Sequence, residues 1–222
     1  MDEKILNKAE IETEIETAIM EQREVNFAGK RLQFLSLAEK NIDYGINLQD
    51  SVIHGNVFLA DTVINGNINF TNATVIGSLF FGRGKLMGSF ILNGAKISQT
   101  INLVGINVTG SIECVAAKVS GFVSLTKAVI LGDVDFHKIE ARDFTKDDLT
   151  IKGDVYLKNA QVNGFFSLEE ALVWGMISLE GALIRKNFTA KNAFVKDNLF
   201  LKNAIVHGGM DLTGIPENKI IK

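Results

Sequence analysis

Three histidines (His54, His137 and His207) and one cysteine, Cys114, are the chain's whole stock of imidazole and thiol groups. His54 and His207 hold equivalent places in a repeat but lie far apart along it, so they cannot share a metal ion within one chain. No His-Glu-x-x-His, Cys-x-x-Cys or Gly-x-x-x-x-Gly-Lys-Ser/Thr motif occurs. Gly82-Arg83-Gly84 lacks the spacing of a dinucleotide-binding turn and does not open a helix. Cys114 falls at an inward position of the repeat, which reads as a buried, inert thiol. The only irregular place for an acid pair acting on polysaccharide is the stretch 137–148, with Glu140, Asp143, Asp147 and Asp148. No catalytic, metal-binding or cofactor-binding residue is assigned, no cofactor is expected, and a non-enzyme is the expectation.

The outward residues that break the pattern of the chain carry more information. Trp174, Phe165 and Met176 stand beside markers where polar residues are usual, and Leu172, Leu183, Phe194, Ile205 and Phe200 are apolar at outward strand positions; together they form a candidate interaction surface. Arg185, Lys186, Lys191, Lys196 and Lys202, offset only by Asp197, form a candidate basic face for anionic lipid or nucleic acid.

The elements that must position these residues follow from a period of eleven. Positions 44 to 132 and 153 to 208, taken every eleven residues, give fifteen markers, of which eleven are glycine; Tyr44, Gln99, Lys186 and Asp197 are the exceptions. Two residues before each marker stands Ile, Val or Leu, and the residues two and four after it are apolar, Cys114 and Ala190 being the small ones. Four before it, nine of the fifteen are alanine. Between 132 and 153 the spacing is 21, one short of two units, which places a register slip at 137–148.

Alternation argues for strands. One unbroken strand would bury the marker, and an unpaired buried charge at Lys186 or Asp197 is costly. The marker is therefore a corner, with glycine expected to supply positive φ. Each eleven-mer becomes two short strands joined by a three-residue corner and followed by a two-residue corner such as Lys158-Asn159, where Asn and Gly tolerate left-handed backbone. Two eleven-mers close a four-sided coil. Parallel stacking at about 4.8 Å gives about eight coils and a rod on the order of 40 Å, and crossovers between parallel strands are right-handed.

The repeat over residues 40–214 resembles that of the pentapeptide-repeat proteins, in a variant with an eleven-residue Ala-x-Ile-x-Gly-x-Leu-x-Leu unit. The resemblance implies a right-handed quadrilateral β-helix, an all-β fold, with Ala and Leu/Phe pointing inward. It also implies end-to-end dimers through the C-terminus. The family includes DNA mimics that protect gyrase, but mimicry needs a strongly acidic rod. Here residues 1–24 carry eight acids and three bases, leaving 18 acids and 20 bases in the rest, so nucleic-acid mimicry is the alternative reading and not the first.

Residues 1–24 are expected to form a helical cap, with Ile11, Ile15, Ala18 and Ile19 on one face. Residues 25–39 are apolar but off register and read as an irregular first coil within a repeat domain of 25–214. A tail of 215–222 follows. With a single cysteine, no leader and no span-length apolar run, a cytoplasmic protein is expected. The functional expectation is a scaffold that binds itself or another, unidentified protein.

Overall fold

A computed structural model describes residues 4–142 and 153–222. The chain winds as a right-handed, four-sided parallel β-solenoid of about nine coils, one more than the repeat count predicts. The sides are named here in the order the chain visits them. The first sheet has nine strands and contains Thr74–Val75, the second nine with Leu79–Phe80, the third eight with Lys85–Leu86, and the fourth nine with Phe90–Ile91. The first sheet thus lies opposite the third, and the second opposite the fourth. Within a sheet, Thr74 pairs with Val52 on one side and Lys96 on the other, an offset of 22 residues.

Every strand is two residues long, so pairing with the coils on either side replaces the length that an isolated strand needs. Each parallel ladder carries donors in both directions, but the bonds that flank its two-residue strands alternate in direction around the square. In the first and third sheets the later coil donates to the earlier (Val52 N–H to Lys30 O, 2.9 Å; Val63 N–H to Lys40 O, 2.9 Å). In the second and fourth the earlier coil donates to the later (Val57 N–H to Ser78 O, 2.9 Å; Ile46 N–H to Asn67 O, 2.8 Å). The inward side chains fill the square completely, and Phe70, Phe81, Phe90, Phe136, Phe166 and Phe188 are all fully buried.

The marker is a corner, but its glycine does a different job from the one expected. Positive φ is found at the second residue of the two-residue corner, as at Asn72, Asn159 and Asn203, and not at the markers. At the markers the missing side chain makes room for the coil beneath. A Cβ on Gly88 would sit 2.5 Å from Asn67 Oδ1 and 2.6 Å from the carbonyl of Gly66. That space holds a ladder of side-chain acceptors along the corner between the third and fourth sheets. Asn67 Oδ1 accepts from Ser89 N–H (2.8 Å), Ser89 Oγ from Ser111 N–H (3.1 Å), Ser111 Oγ from Asp133 N–H (3.1 Å), and Asp133 Oδ1 from Phe165 N–H (2.9 Å). Gln99, Lys186 and Asp197 show that particular corners accept a Cβ, with the side chain directed toward solvent.

The register slip is an insertion. Val123 pairs with Val155 and Glu140 with Leu172, offsets of 32 where every neighbouring coil has 22, so ten extra residues enter at one marker corner between the first and second sheets. Pairing resumes in full on the far side of the insertion. Residues 143–152, including Asp143, Asp147 and Asp148, lie outside the described residues.

The ends also differ from expectation. The apolar run 25–39 is a regular coil, with strands Val25–Asn26, Arg31–Leu32 and Leu35–Ser36. It reads as off register because Val25 pairs with Ile46 and Arg31 with Val52, one residue short of the usual offset. Before it, Ile5–Leu6 joins the first sheet and α1 (Lys8–Met20) lies over the end of the rod with Ile11, Ile15 and Ala18 buried; Ile19, placed on that face by periodicity, is 42% exposed. A capping box starts α1: Asn7 Oδ1 accepts from Glu10 N–H (3.2 Å) and Glu10 Oε2 from Asn7 N–H (3.0 Å). Asn7→Ala is expected to destabilise the cap by about 1 kcal/mol, measured as faster amide exchange in α1 with little change in the central coils. At the other end the tail turns back, burying Ile215 and pairing Ile220–Ile221 with Leu199–Phe200 in the second sheet.

Candidate interaction surface

The eight apolar residues singled out in the sequence are distributed over all four sides, and five of them gather on one edge. Leu172, Trp174 and Phe194 stand on the first sheet. Leu172 and Phe194 are register partners, and the Trp174 and Phe194 rings lie 5.3 Å apart. Two ammonium groups cover these rings: Lys196 Nζ is 5.4 Å from the Trp174 centroid and Lys219 Nζ 5.6 Å from that of Phe194. Lys219 is held there because it also donates to the carbonyls of Val195 (2.6 Å) and Lys196 (2.9 Å). Around the corner, Met176 and Phe200 border a shallow depression on the second sheet with Tyr156, Lys158 and Glu180. Burial and the hydrogen bond it donates to Asp154 (2.8 Å) push the Tyr156 phenol up to about 12.

Leu183 and Ile205 face the opposite way, as register partners on the third sheet. Phe165 forms a wall of a groove on the fourth sheet, about 580 Å³, with Asp135, His137, Ser167, Glu169 and Asp211. Phe165 and Met176 share a local cause. Each donates its backbone N–H to the side-chain acceptor of its corner, Asp133 (2.9 Å) and Asp154 (2.7 Å), and has no side-chain acceptor to pass the ladder on.

The five bases do not make a face. Arg185 stands on the third sheet beside Asn163 (3.0 Å), Lys186 at the next corner near Asp133 (3.9 Å), and Lys191 at the turn into the first sheet. Lys196 follows on the first sheet and Lys202 at the turn between the second and third, so the set rings one coil.

Two rows were missed because the eleven-residue reading treats alternate units as equal, whereas a side repeats every 22. On the second sheet Phe58 and Phe80 stack (5.4 Å, 6°), and Phe122 meets Tyr156 edge to face (6.2 Å, 69°), in line with Phe200 and Ile221. On the first sheet, Arg31, Lys96, Lys118 and Arg142 fall at outward strand or corner positions. Sorting the sequence by 22 would have found both.

The remaining chemistry-bearing groups are engaged or isolated. His54 Nε2 contacts Arg31 Nη2 at 3.0 Å on the first sheet, His137 lines the fourth-sheet groove, and His207 lies on the third sheet. Glu140 binds Lys118 and Arg142, each at 3.3 Å. Cys114 is fully buried; desolvation, then the charges of Asp135 and Glu113, push its thiol far up. Among the described residues no group of three or more His, Cys, Asp or Glu side chains could hold a metal ion, and no helix is long and apolar enough to cross a membrane.

These features define a four-sided, parallel β-solenoid with 22-residue coils, consistent with pentapeptide-repeat-like folds. Neither protein-family models, nor curated proteins, nor solved structures give a match to the chain.

Proposed function

We propose that the protein is a non-catalytic scaffold that associates with a second copy of itself through the C-terminal end of the rod. One observation carries this reading. Inward positions two residues after each marker are fully buried from Ile46 to Leu199, yet Met210, at the same position in the last coil, is 43% exposed. Val206 and Leu212 beside it are only partly buried. Three sheets also end here on strands with no further partner among the described residues: Phe194–Val195, Ile205–Val206 and Met210–Asp211. Exposed core side chains next to open strand edges favour cover by another chain. The opposite end has that cover in α1.

Sedimentation or light scattering at micromolar concentration is expected to give twice the 24.3 kDa chain mass. Met210→Glu should return it to the single-chain mass with an unchanged circular dichroism spectrum. A monomeric wild-type chain would sink the proposal.

A further inference from the structure

We infer that the first sheet is a docking face for an anionic membrane surface. Among the described residues, its outward strand positions and the corner positions that follow them carry Arg31, Lys96, Lys118, Arg142 and Lys196 against Glu140 on a strand and Asp154 and Asp197 at the corners, in a chain whose formal net charge is -3. Five of the chain's 23 Lys and Arg residues therefore share this side. Acids collect elsewhere, with Asp133, Asp135, Glu169 and Asp211 along the fourth sheet.

Nothing in the fold asks for this arrangement. Lys96 and Lys118 are direct register partners on adjacent coils, and like charges placed opposite each other weaken a sheet. Lys118 reaches Glu140, but Lys96 is exposed and has no acidic partner among the described residues. An external negative surface would turn this repulsion into attraction.

The apolar part of the face chooses among anionic partners. Leu172 (38% exposed) and Phe194 (42%) stand beside Trp174 at one end, and Ile76 (47%) lies farther along. Lys196 and Lys219 flank the rings with their ammonium groups. Tryptophan among lysines suits the boundary between headgroups and acyl chains, where rings enter and ammonium groups stay at the phosphates. A nucleic-acid backbone offers phosphates but little that rewards leucine and isoleucine. The face is also one side of a four-sided rod, and a broad side matches a bilayer better than a cylindrical duplex.

This surface meets the open end at Phe194 but runs along the side of the rod, and Lys96, Lys118 and Leu172, which its test replaces, lie in earlier coils, so either proposal can fail without the other. The test uses co-sedimentation with phosphatidylcholine vesicles made with or without phosphatidylserine. Trp174, the only tryptophan in the chain, serves as a fluorescent reporter. Binding is expected only with phosphatidylserine, with a blue shift of Trp174 emission, and it should weaken as salt shortens the Debye length from about 8 Å to about 3 Å. Lys96→Gln combined with Lys118→Gln should lower partitioning roughly 30-fold without lowering the melting temperature. Leu172→Ser should weaken binding without changing its salt dependence. Failure to pellet with phosphatidylserine vesicles, equal binding to neutral vesicles, or an unaffected double-lysine variant would each overturn the inference. So would binding to duplex DNA with no change in Trp174 emission on vesicles.

Discussion

Phe166→Ala is expected to destabilise the protein by about 4 kcal/mol, near the top of the range for a buried aromatic. The Phe166 ring stacks on Phe188 (5.3 Å, 9°) and meets Phe136 edge on (5.8 Å, 83°), so one truncation breaks contacts in three successive coils. The resulting cavity has little means of closing. Coil spacing is fixed by backbone bonds on both sides, such as Val134 N–H to Phe165 O (2.8 Å) and Phe166 N–H to Asn187 O (2.9 Å). Phe166→Leu, which keeps most of the volume, should cost about 1.5 kcal/mol. Because each coil is stabilised by its neighbours alone, the alanine variant is also expected to split urea unfolding into two transitions. A single transition shifted by less than about 1 kcal/mol would contradict the idea of a core that cannot relax.

Gly88→Ala should destabilise by about 3 kcal/mol although it adds a single methyl group at the surface of the rod. Its Cβ would meet Asn67 Oδ1 at 2.5 Å and the Gly66 carbonyl at 2.6 Å, displacing the acceptor that satisfies Ser89 N–H and forcing two coils apart. Gly29→Ala is the control. Gly29 has φ +66° and no heavy atom within 4 Å of the added Cβ, so only backbone strain opposes alanine there, worth about 1 kcal/mol. Gly29→Asn should be nearly neutral, since Asn tolerates that conformation. Equal losses at Gly88 and Gly29, read from urea midpoints, would restore positive φ as the reason for glycine at the markers.

These two glycines mark how far the sequence could be read. The period, the two strands per unit and the four sides follow from apolar spacing and from Lys186 and Asp197 at marker positions, because burying a charge leaves so few alternatives. The reason for glycine at the marker was not legible. It depends on what lies 22 residues earlier, and a local reading hears only the conformational preference. The insertion was hidden in the same way: eleven residues of one unit less one look like a slip until Val155 is seen to pair with Val123. For the surface, single departures such as Trp174 were visible, but which of them share a side was not. Leu172 and Leu183 are equivalent in an eleven-residue frame and stand on opposite sides of the rod.

The position of α1 decides what kind of assembly the open end can make. A solenoid open at both ends could add copies head to tail without limit, as an unclosed heterologous contact does, and grow into a fibre. With α1 seated over one end, that route is blocked, and the proposed association through the open end would stop at two. The open end itself is uneven: the first, third and fourth sheets finish on unpaired strands, whereas the second finishes on the returning strand Ile220–Ile221. The helix would thus act as a chain terminator, and the pair it permits would be a closed one.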